Sequence, residues 1–280
     1  MVRPLRIEYP YALHHVMARG NNRNPIFQTD SDRLLFLNIL CDTIRLHNWI
    51  CHAYCLMDNH YHLLIETPDA NLAQGMRDVN GRYTQAFHRT HGSIGHVLQG
   101  RYKSKVVEKD AYLLEVARYI VLNPVRARSV KDPSSWRWSS YLSTAGLRKP
   151  ESFLSIASLL NLFSQDRNTA FKEYRSFVAS GIDHDSPYQG NKGSILGSPQ
   201  FIHEIWENFP QLEEVVDISK ENRMIGRPTL EDIFSNTAHK AERDVAIRMA
   251  RYRCGYAISE IAEYLGLDAS TVSRIFHGKR

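Results

Sequence analysis

The sequence of 280 residues predicts an α+β fold followed by an all-α C-terminal region. Two observations predict this fold class. Strand-like runs alternate with segments of helical periodicity over the first 145 residues, and only helical patterns occur from Thr229 onward. Apolar residues make up 43% of the chain and charged residues 23%, which is typical of a protein that buries a core. The length suits about two domains.

The elements of the first part follow the order β-α-β-β-α-β-α. Runs of β-compatible residues predict four strands, at Tyr11–Arg19, Trp49–Leu56, Tyr61–Thr67 and Tyr102–Val107. Apolar residues at helical spacing predict three helices, from Asp30 or Ser31 to about His47, Asn71–His91 and Ala111–Leu122. Gly92 closes the second helix, Asp110 caps the third and Pro124 ends it. This order predicts a ferredoxin-like or RRM-like antiparallel sheet with helices on one face.

The sequence predicts that the whole chain consists of three parts. Residues 1–145 form the α+β domain, 146–228 a helical acidic spacer, and 229–280 a helical C-terminal domain. Helical patterns in the spacer cover Ser152–Phe163, Thr169–Ala179 and Ile202–Glu207, and a polar linker covers Glu221–Arg227.

Charge is distributed unevenly around a net value of +5. Arg77–Lys131 holds 11 basic and 4 acidic residues, Glu151–Ala238 holds 7 and 13, and Lys240–Arg280 holds 8 and 5. Two basic regions around an acidic one suggest two separate contacts with polyanions. For one block alone, ordinary surface solvation is an equal alternative.

Several classes of protein are excluded by composition. No stretch reaches the ~20 apolar residues that cross a bilayer, and Met1–Arg6 is not followed by the apolar run of a signal peptide. Four cysteines are too few and too scattered for a disulfide framework. Cys51 and Cys55, expected on one face of a strand, are interpreted as core thiols rather than zinc ligands. We expect a cytoplasmic protein without membrane contacts.

His60 and His62 are a candidate metal site. Residues two apart on a strand share a face, so both imidazoles project together while Tyr61 points into the core. Two imidazoles with one or two oxygen ligands make a usable divalent-metal site. A fortuitous pair is the alternative in a chain with 13 histidines.

Tyr119 and Asn123 lie four apart at the end of the third predicted helix, and therefore on one side of it. A phenol beside an amide ligand is a nucleophile beside a candidate metal site. Because a phenol has a pKa near ~10, it attacks slowly unless its target is polarised, for example by a metal on a phosphate oxygen. The alternative is a surface aromatic.

Three segments together resemble the HUH superfamily of single-strand tyrosine transposases, most of all its REP-associated branch. They are Met57–Glu66 with its His-Tyr-His, Gln99–Ser104, and Arg118–Ala127 with its Arg-Tyr-Ile-Val-Leu-Asn-Pro. The resemblance spans about Arg3 to Tyr141. It implies that His60, His62 and Asn123 bind Mg²⁺ or Mn²⁺ and that Tyr119 is the nucleophile. Tyr61 departs from the family, which usually has an aliphatic residue there.

The implied reaction is nicking and rejoining of single-stranded or hairpin DNA through a 5′-phosphotyrosine link, as an endonuclease and transferase. No ATP is needed, in agreement with the absence of a phosphate-loop motif from the sequence. Basic residues suit phosphate contacts, although a solvated edge is the alternative. We expect Arg101, Lys103 and Lys105 on one strand face, and Arg118, to contact DNA. A homodimer is possible.

The C-terminal sequence has helix-turn-helix spacing around Gly266. Ile261, Ala262 and Leu265 are expected to pack the first helix, and Val272, Ile275 and Phe276 the second. Ser270, Thr271 and Arg274 then face outward, where a major groove would meet them. Thr229–Arg280 is similar to the duplex-binding domain of the replication initiator DnaA. A protein-interaction module is the alternative.

Two other functions compete with the transposase interpretation. One is a catalytically silent regulator that recognises repeat hairpins. The other, a zinc-dependent repressor, needs tetrahedral ligands that the cysteine and histidine spacing does not offer.

Overall fold

The structure is a computed structural model that describes residues 7–189, 191, 193–208, 229–235, 237, 239–252 and 256–276. The chain divides into two compact units. The first unit is Arg6–Asn191, and the second runs from Lys192 onward. The three-part division predicted from the sequence stays a prediction.

The first unit begins with the predicted order of elements. Its strands and helices are β1 (Ala12–Arg19), α1 (Asp30–Leu46), β2 (Ile50–Leu56), β3 (His60–Thr67), α2 (Leu72–His91), β4 (Lys103–Val107) and α3 (Lys109–Val121). The α+β class is thereby confirmed. Helix α3 starts earlier than expected, because its N-cap is Glu108 rather than Asp110. A one-turn helix, α4 (Asn123–Arg126), follows it and accommodates Pro124 in its first turn.

The strands of this unit are antiparallel neighbours in the order β2-β3-β1-β4. Strand β1 is therefore paired on both edges. The register places Met17 opposite His62 and Lys103, and His15 opposite Lys105. Since side chains alternate between faces, His15 and His62 lie on the same face as diagonal neighbours.

The opposite face of the sheet packs against α1 and α2. Tyr61 is fully buried there, with its ring 4.7 Å from that of Phe36 in α1. The Tyr61 hydroxyl donates to Oδ1 of Asn80 in α2, at 2.6 Å. The expectation that Tyr61 points into the core is therefore correct.

The two buried cysteines of β2 do not share a face, contrary to expectation. A bulge between Cys51 and Ala53 shifts the register, so that Cys51 pairs with Ile65 and Cys55 with His62. An extra residue in one strand reverses the alternation beyond it. Both thiols are free and fully buried.

Three further helices of the middle segment belong to the first unit. They are α5 (Tyr141–Thr144), α6 (Ala157–Leu160) and α7 (Arg167–Ser180). Leu160, Tyr174 and Val178 are buried in the same core as α1 and α2. Helix α6 is shorter than the predicted Ser152–Phe163.

The second unit contains β5 (Ile195–Leu196), α8 (Pro199–Asn208), α9 (Leu230–Phe234), α10 (Lys240–Tyr252), α11 (Ile258–Leu265) and α12 (Ala269–Phe276). Ile261, Ala262 and Val272 are buried, and Leu265 and Ile275 pack against them. Gly266 has φ of 62°, in the left-handed region, where it ends α11 and turns the chain towards α12. The predicted linker at Glu221–Arg227 and the Phe276 side chain lie outside the described parts. Of the described helices, none is long and apolar enough to span a membrane.

Candidate active site

His60 and His62 project from the same face at the start of β3. Their ring centroids are 5.1 Å apart, and the rings are nearly perpendicular. Nδ1 of His60 donates to Oδ1 of Asn59 at 2.7 Å, which leaves Nε2 of His60 as the nitrogen with a lone pair. His60 is half-buried, whereas His62 is buried.

A third histidine, His15 of β1, joins this pair. Nε2 of His15 and Nδ1 of His62 are hydrogen-bonded at 2.9 Å, and the two rings stack. The other ring nitrogen of His15 is hydrogen-bonded to the hydroxyl of Tyr188. A chain of three polar groups therefore leads from Tyr188 through His15 to His62.

The imidazoles of this site are held in the neutral form. Burial lowers the pKa of His62 well below its ordinary value, and neighbouring His15 and His60 lower it further. Burial, with the charge of Lys105, lowers the pKa of His15 to about 3. Burial and the charge of Arg19 lower the pKa of His60, against an opposing effect of Asp58. Neutral imidazole is the form that ligates metals.

Tyr119 of α3 faces the histidines. Its ring centroid lies 6.3 Å from that of His62 and 6.0 Å from that of His15, edge-on in both cases. The Arg126 guanidinium lies over its ring at 5.0 Å, where a cation interacts favourably with the aromatic face. The Tyr188 ring packs edge-on against it at 5.4 Å. Tyr119 itself is partly exposed.

Asn123 caps the end of α3 beside the tyrosine. Its Nδ2 donates to the carbonyl oxygens of Tyr119 and Ile120, at 3.0 and 3.2 Å. These bonds use the amide nitrogen and fix the side chain, so that the amide oxygen is the atom available as a ligand.

The donor set fits a divalent cation with open coordination positions. Two imidazole nitrogens and one amide oxygen leave room for water and phosphate oxygens. Within the described ranges, no three His, Cys, Asp or Glu side chains form a cluster that could hold a metal. A cation at this site would thus depend on the Asn123 oxygen and on the substrate as well as on His60 and His62.

The residues expected to contact DNA from β4 have different surroundings. Lys103 is exposed on the His62 face of the strand. Lys105 donates to the carbonyl oxygen of Asn191 at 3.1 Å, with its Nζ 5.2 Å from the Tyr188 ring centroid. Arg101 is exposed but precedes β4, so it does not belong to the alternating set that the sequence predicted.

Arg118 is directed away from Tyr119 into the packing of α7. Its guanidinium lies 4.2 Å from the Phe177 ring centroid, donates to the Phe177 carbonyl oxygen, and pairs with Glu115. Only 8% of the residue is exposed. The structure therefore gives Arg118 a packing role and does not bring it to a surface where DNA could bind.

In the second unit, Ser270 and Arg274 are exposed on α12 and Thr271 is partly exposed. Nη2 of Arg274 donates to the Thr271 hydroxyl at 3.3 Å. The outward orientation expected for Ser270 and Arg274 is present, while their contact with duplex DNA stays a prediction.

Sequence reasoning missed His15 and Tyr188. In the sequence, His15 is one of two adjacent histidines, and no pattern in the neighbouring residues distinguishes it from His14. Its role depends on the pairing of β1 with β3, which sets it diagonally to His62. Tyr188 comes from a loop-like segment without a motif.

Much of the first unit is similar to a known protein family. Residues 9–123, which are 115 of the 280, match the family model of IS200-like transposases, and this range includes His60, His62, Tyr119 and Asn123. This part of the chain is therefore similar to IS200-like transposases. No curated protein matches the chain.

Several solved structures are similar to this chain, among them the following two. One is a REP-associated tyrosine transposase bound to a REP hairpin, with 17% identity and a TM-score of 0.45 over 56% of this chain and 90% of that one. The other is a putative transposase from Deinococcus radiodurans R1, with 17% identity and a TM-score of 0.31 over 42% of this chain and 95% of that one. At these values neither similarity supports a role for any residue.

Proposed function

We propose that the first unit cuts and rejoins single-stranded or hairpin DNA, with Tyr119 as the nucleophile and a divalent cation held by His60, His62 and Asn123. The observation that carries the proposal is the position of the Tyr119 ring, 6.3 Å from the His62 ring at a junction of helix and sheet. The match of residues 9–123 to IS200-like transposases supports the same class of reaction.

The reaction is a transesterification. Oη of Tyr119 forms a bond to the scissile phosphorus, the bond from phosphorus to the 3′ oxygen breaks, and a 5′-phosphotyrosine and a free 3′-OH result. The phenol loses its proton and the 3′ oxygen gains one. Attack by a DNA 3′-OH on the phosphotyrosine reverses the step and joins strands.

The protein contributes position and electrostatics. The hydrogen bonds of Asn123 hold the end of α3, and Arg126 over the Tyr119 ring favours negative charge as it develops on the phenol. A bound Mg²⁺ or Mn²⁺ would polarise a non-bridging phosphate oxygen. The neutral imidazoles of His60 and His62 would ligate it without losing protons first.

We propose that the second unit adds a contact with duplex DNA. The support is the exposed Ser270 in the first turn and the exposed Arg274 in the last turn of α12, a helix that follows a three-residue turn. A helix presented in this way fits the major groove.

The experiment is a covalent-adduct assay. The full chain is incubated with labelled stem-loop DNA and Mn²⁺ or Mg²⁺ and run on a denaturing gel. The unaltered protein is expected to give a shifted, protease-sensitive band. Tyr119→Phe should abolish the band while hairpin affinity stays near normal, because only the nucleophilic oxygen is removed.

The matched control is Tyr112→Phe, a tyrosine two turns earlier on the same helix, which should leave the band unchanged. Absence of any adduct across stem-loops of varied sequence, with DNA binding intact, would establish the silent regulator instead.

A further inference from the structure

The anchoring of the two histidines follows one pattern. His60 donates through Nδ1 to the Asn59 side chain, and His62 is also hydrogen-bonded through Nδ1, in its case to His15. In each ring, Nδ1 is therefore used in a hydrogen bond within the protein, and Nε2 is the nitrogen that could bind a cation. The partner of His60 is an amide oxygen, which only accepts, whereas the partner of His62 is a ring nitrogen, which accepts or donates.

The direction of the His15–His62 bond decides whether His62 is a ligand. If His62 donates through Nδ1, a neutral ring has a lone pair on Nε2. If His15 donates through Nε2, the proton of His62 lies on Nε2, and that atom cannot coordinate a cation. Donation by His62 requires that His15 carry its own proton on Nδ1, which faces the Tyr188 hydroxyl oxygen.

We propose that His15 is a positioning residue that holds His62 in the tautomer with an unprotonated Nε2, and so sets the affinity of the site for its cation. Hydrogen-bond acceptors that orient metal-ligating histidines are general in proteins, and their loss costs ~10–100-fold in affinity. His15 suits this role because it is fully buried in β1, the strand paired on both edges, where water does not compete for the bond. The inference rests on the proposed function for the existence of the cation, but it concerns binding alone.

The test compares three substitutions that differ in where they present an acceptor. Glutamine places its amide near the position of Nε2 and can accept from His62. Asparagine places its amide near Nδ1, towards Tyr188, and phenylalanine presents no acceptor. Binding of Mn²⁺ to the full chain is measured from the electron paramagnetic resonance signal of the free ion, after circular dichroism has shown that each variant is folded.

We expect His15→Phe and His15→Asn to weaken Mn²⁺ binding ~10–100-fold, and His15→Gln to remain within about threefold of the unaltered chain, since it restores the acceptor. Two-bond ¹⁵N–¹H correlation spectra of the histidine rings should show His62 protonated on Nδ1 in the unaltered chain and in His15→Gln. In His15→Phe they should show a shift towards the Nε2-protonated form.

Equal affinities for His15→Phe and His15→Gln would overturn the inference, and so would three imidazoles coordinated to Mn²⁺ in electron spin echo spectra, because His15 would then be a ligand. Failure of the unaltered chain to bind Mn²⁺ would also overturn it. Binding in the expected order without any covalent adduct on DNA would leave the inference standing and remove the proposed strand cleavage.

Discussion

His14 gives the first unit a defined sensitivity to acid. It lies on the face of β1 opposite His15, is fully buried, and has neither ring nitrogen hydrogen-bonded to a described residue. Burial lowers its pKa to about 3 from an ordinary value near 6.5. Between these values the unfolded chain binds a proton that the folded chain does not, so the free energy of unfolding falls as the pH falls.

The magnitude follows from the two pKa values. At pH 5 the histidine is almost fully protonated in the unfolded chain and almost fully neutral in the folded chain. The free energy of unfolding is therefore about 2 kcal/mol lower at pH 5 than at pH 8. Replacing His14 by isoleucine, a residue suited to a buried strand, should abolish this loss. At pH 8 the variant should be at least as stable as the unaltered protein, since two unpartnered polar atoms have been removed.

The assay is urea unfolding at pH 8 and pH 5, followed by tryptophan fluorescence; three of the four tryptophans lie in this unit. The other titrating groups are common to both proteins. The change in unfolding free energy from pH 8 to pH 5 is therefore compared between the two proteins, and the difference is the contribution of His14. The exposed His96, replaced by isoleucine, is the control and should show no such difference. The reasoning would be refuted if His14→Ile reduced the loss of unfolding free energy between pH 8 and pH 5 by less than about 0.5 kcal/mol relative to the unaltered protein.

Two further predictions concern packing and DNA contact. A Cβ on Gly75 of α2 would lie 2.1 Å from the Trp49 ring, so Gly75→Ala should lower the free energy of unfolding in urea by about 1–3 kcal/mol. A Cβ on Gly81 of the same helix would meet no atom within 4 Å, so Gly81→Ala should raise that free energy by up to about 1 kcal/mol. Equal effects of the two substitutions would contradict the packing of Trp49 on α2. Lys103→Ala should lower the slope of log affinity for hairpin DNA against log salt concentration by about 1. Arg118→Ala should lower the stability of the fold and leave that slope unchanged, because the Arg118 guanidinium packs on the Phe177 ring. The opposite result for the two slopes would identify Arg118 as a DNA contact.

Local rules were sufficient for the order of elements and for part of the site. Period two put His60 and His62 on one face, and a spacing of four put Tyr119 and Asn123 together at the end of a helix. These relations hold within a single strand or helix, where side-chain direction depends on neighbouring residues alone. The same locality made Gly266 recognisable as a turn.

Relations between elements required the tertiary structure. The partnership of His15 with His62 depends on how β1 and β3 are aligned, and a shift of one residue would turn His15 to the other face. The bulge after Cys51 separated two cysteines that simple alternation had placed together. Arg118 and Tyr188 took their roles from segments about 60 to 170 residues away in the chain. Sequence therefore determined the chemistry each element carries, whereas strand register and helix packing decided which of those groups meet, because those depend on contacts summed over the whole core.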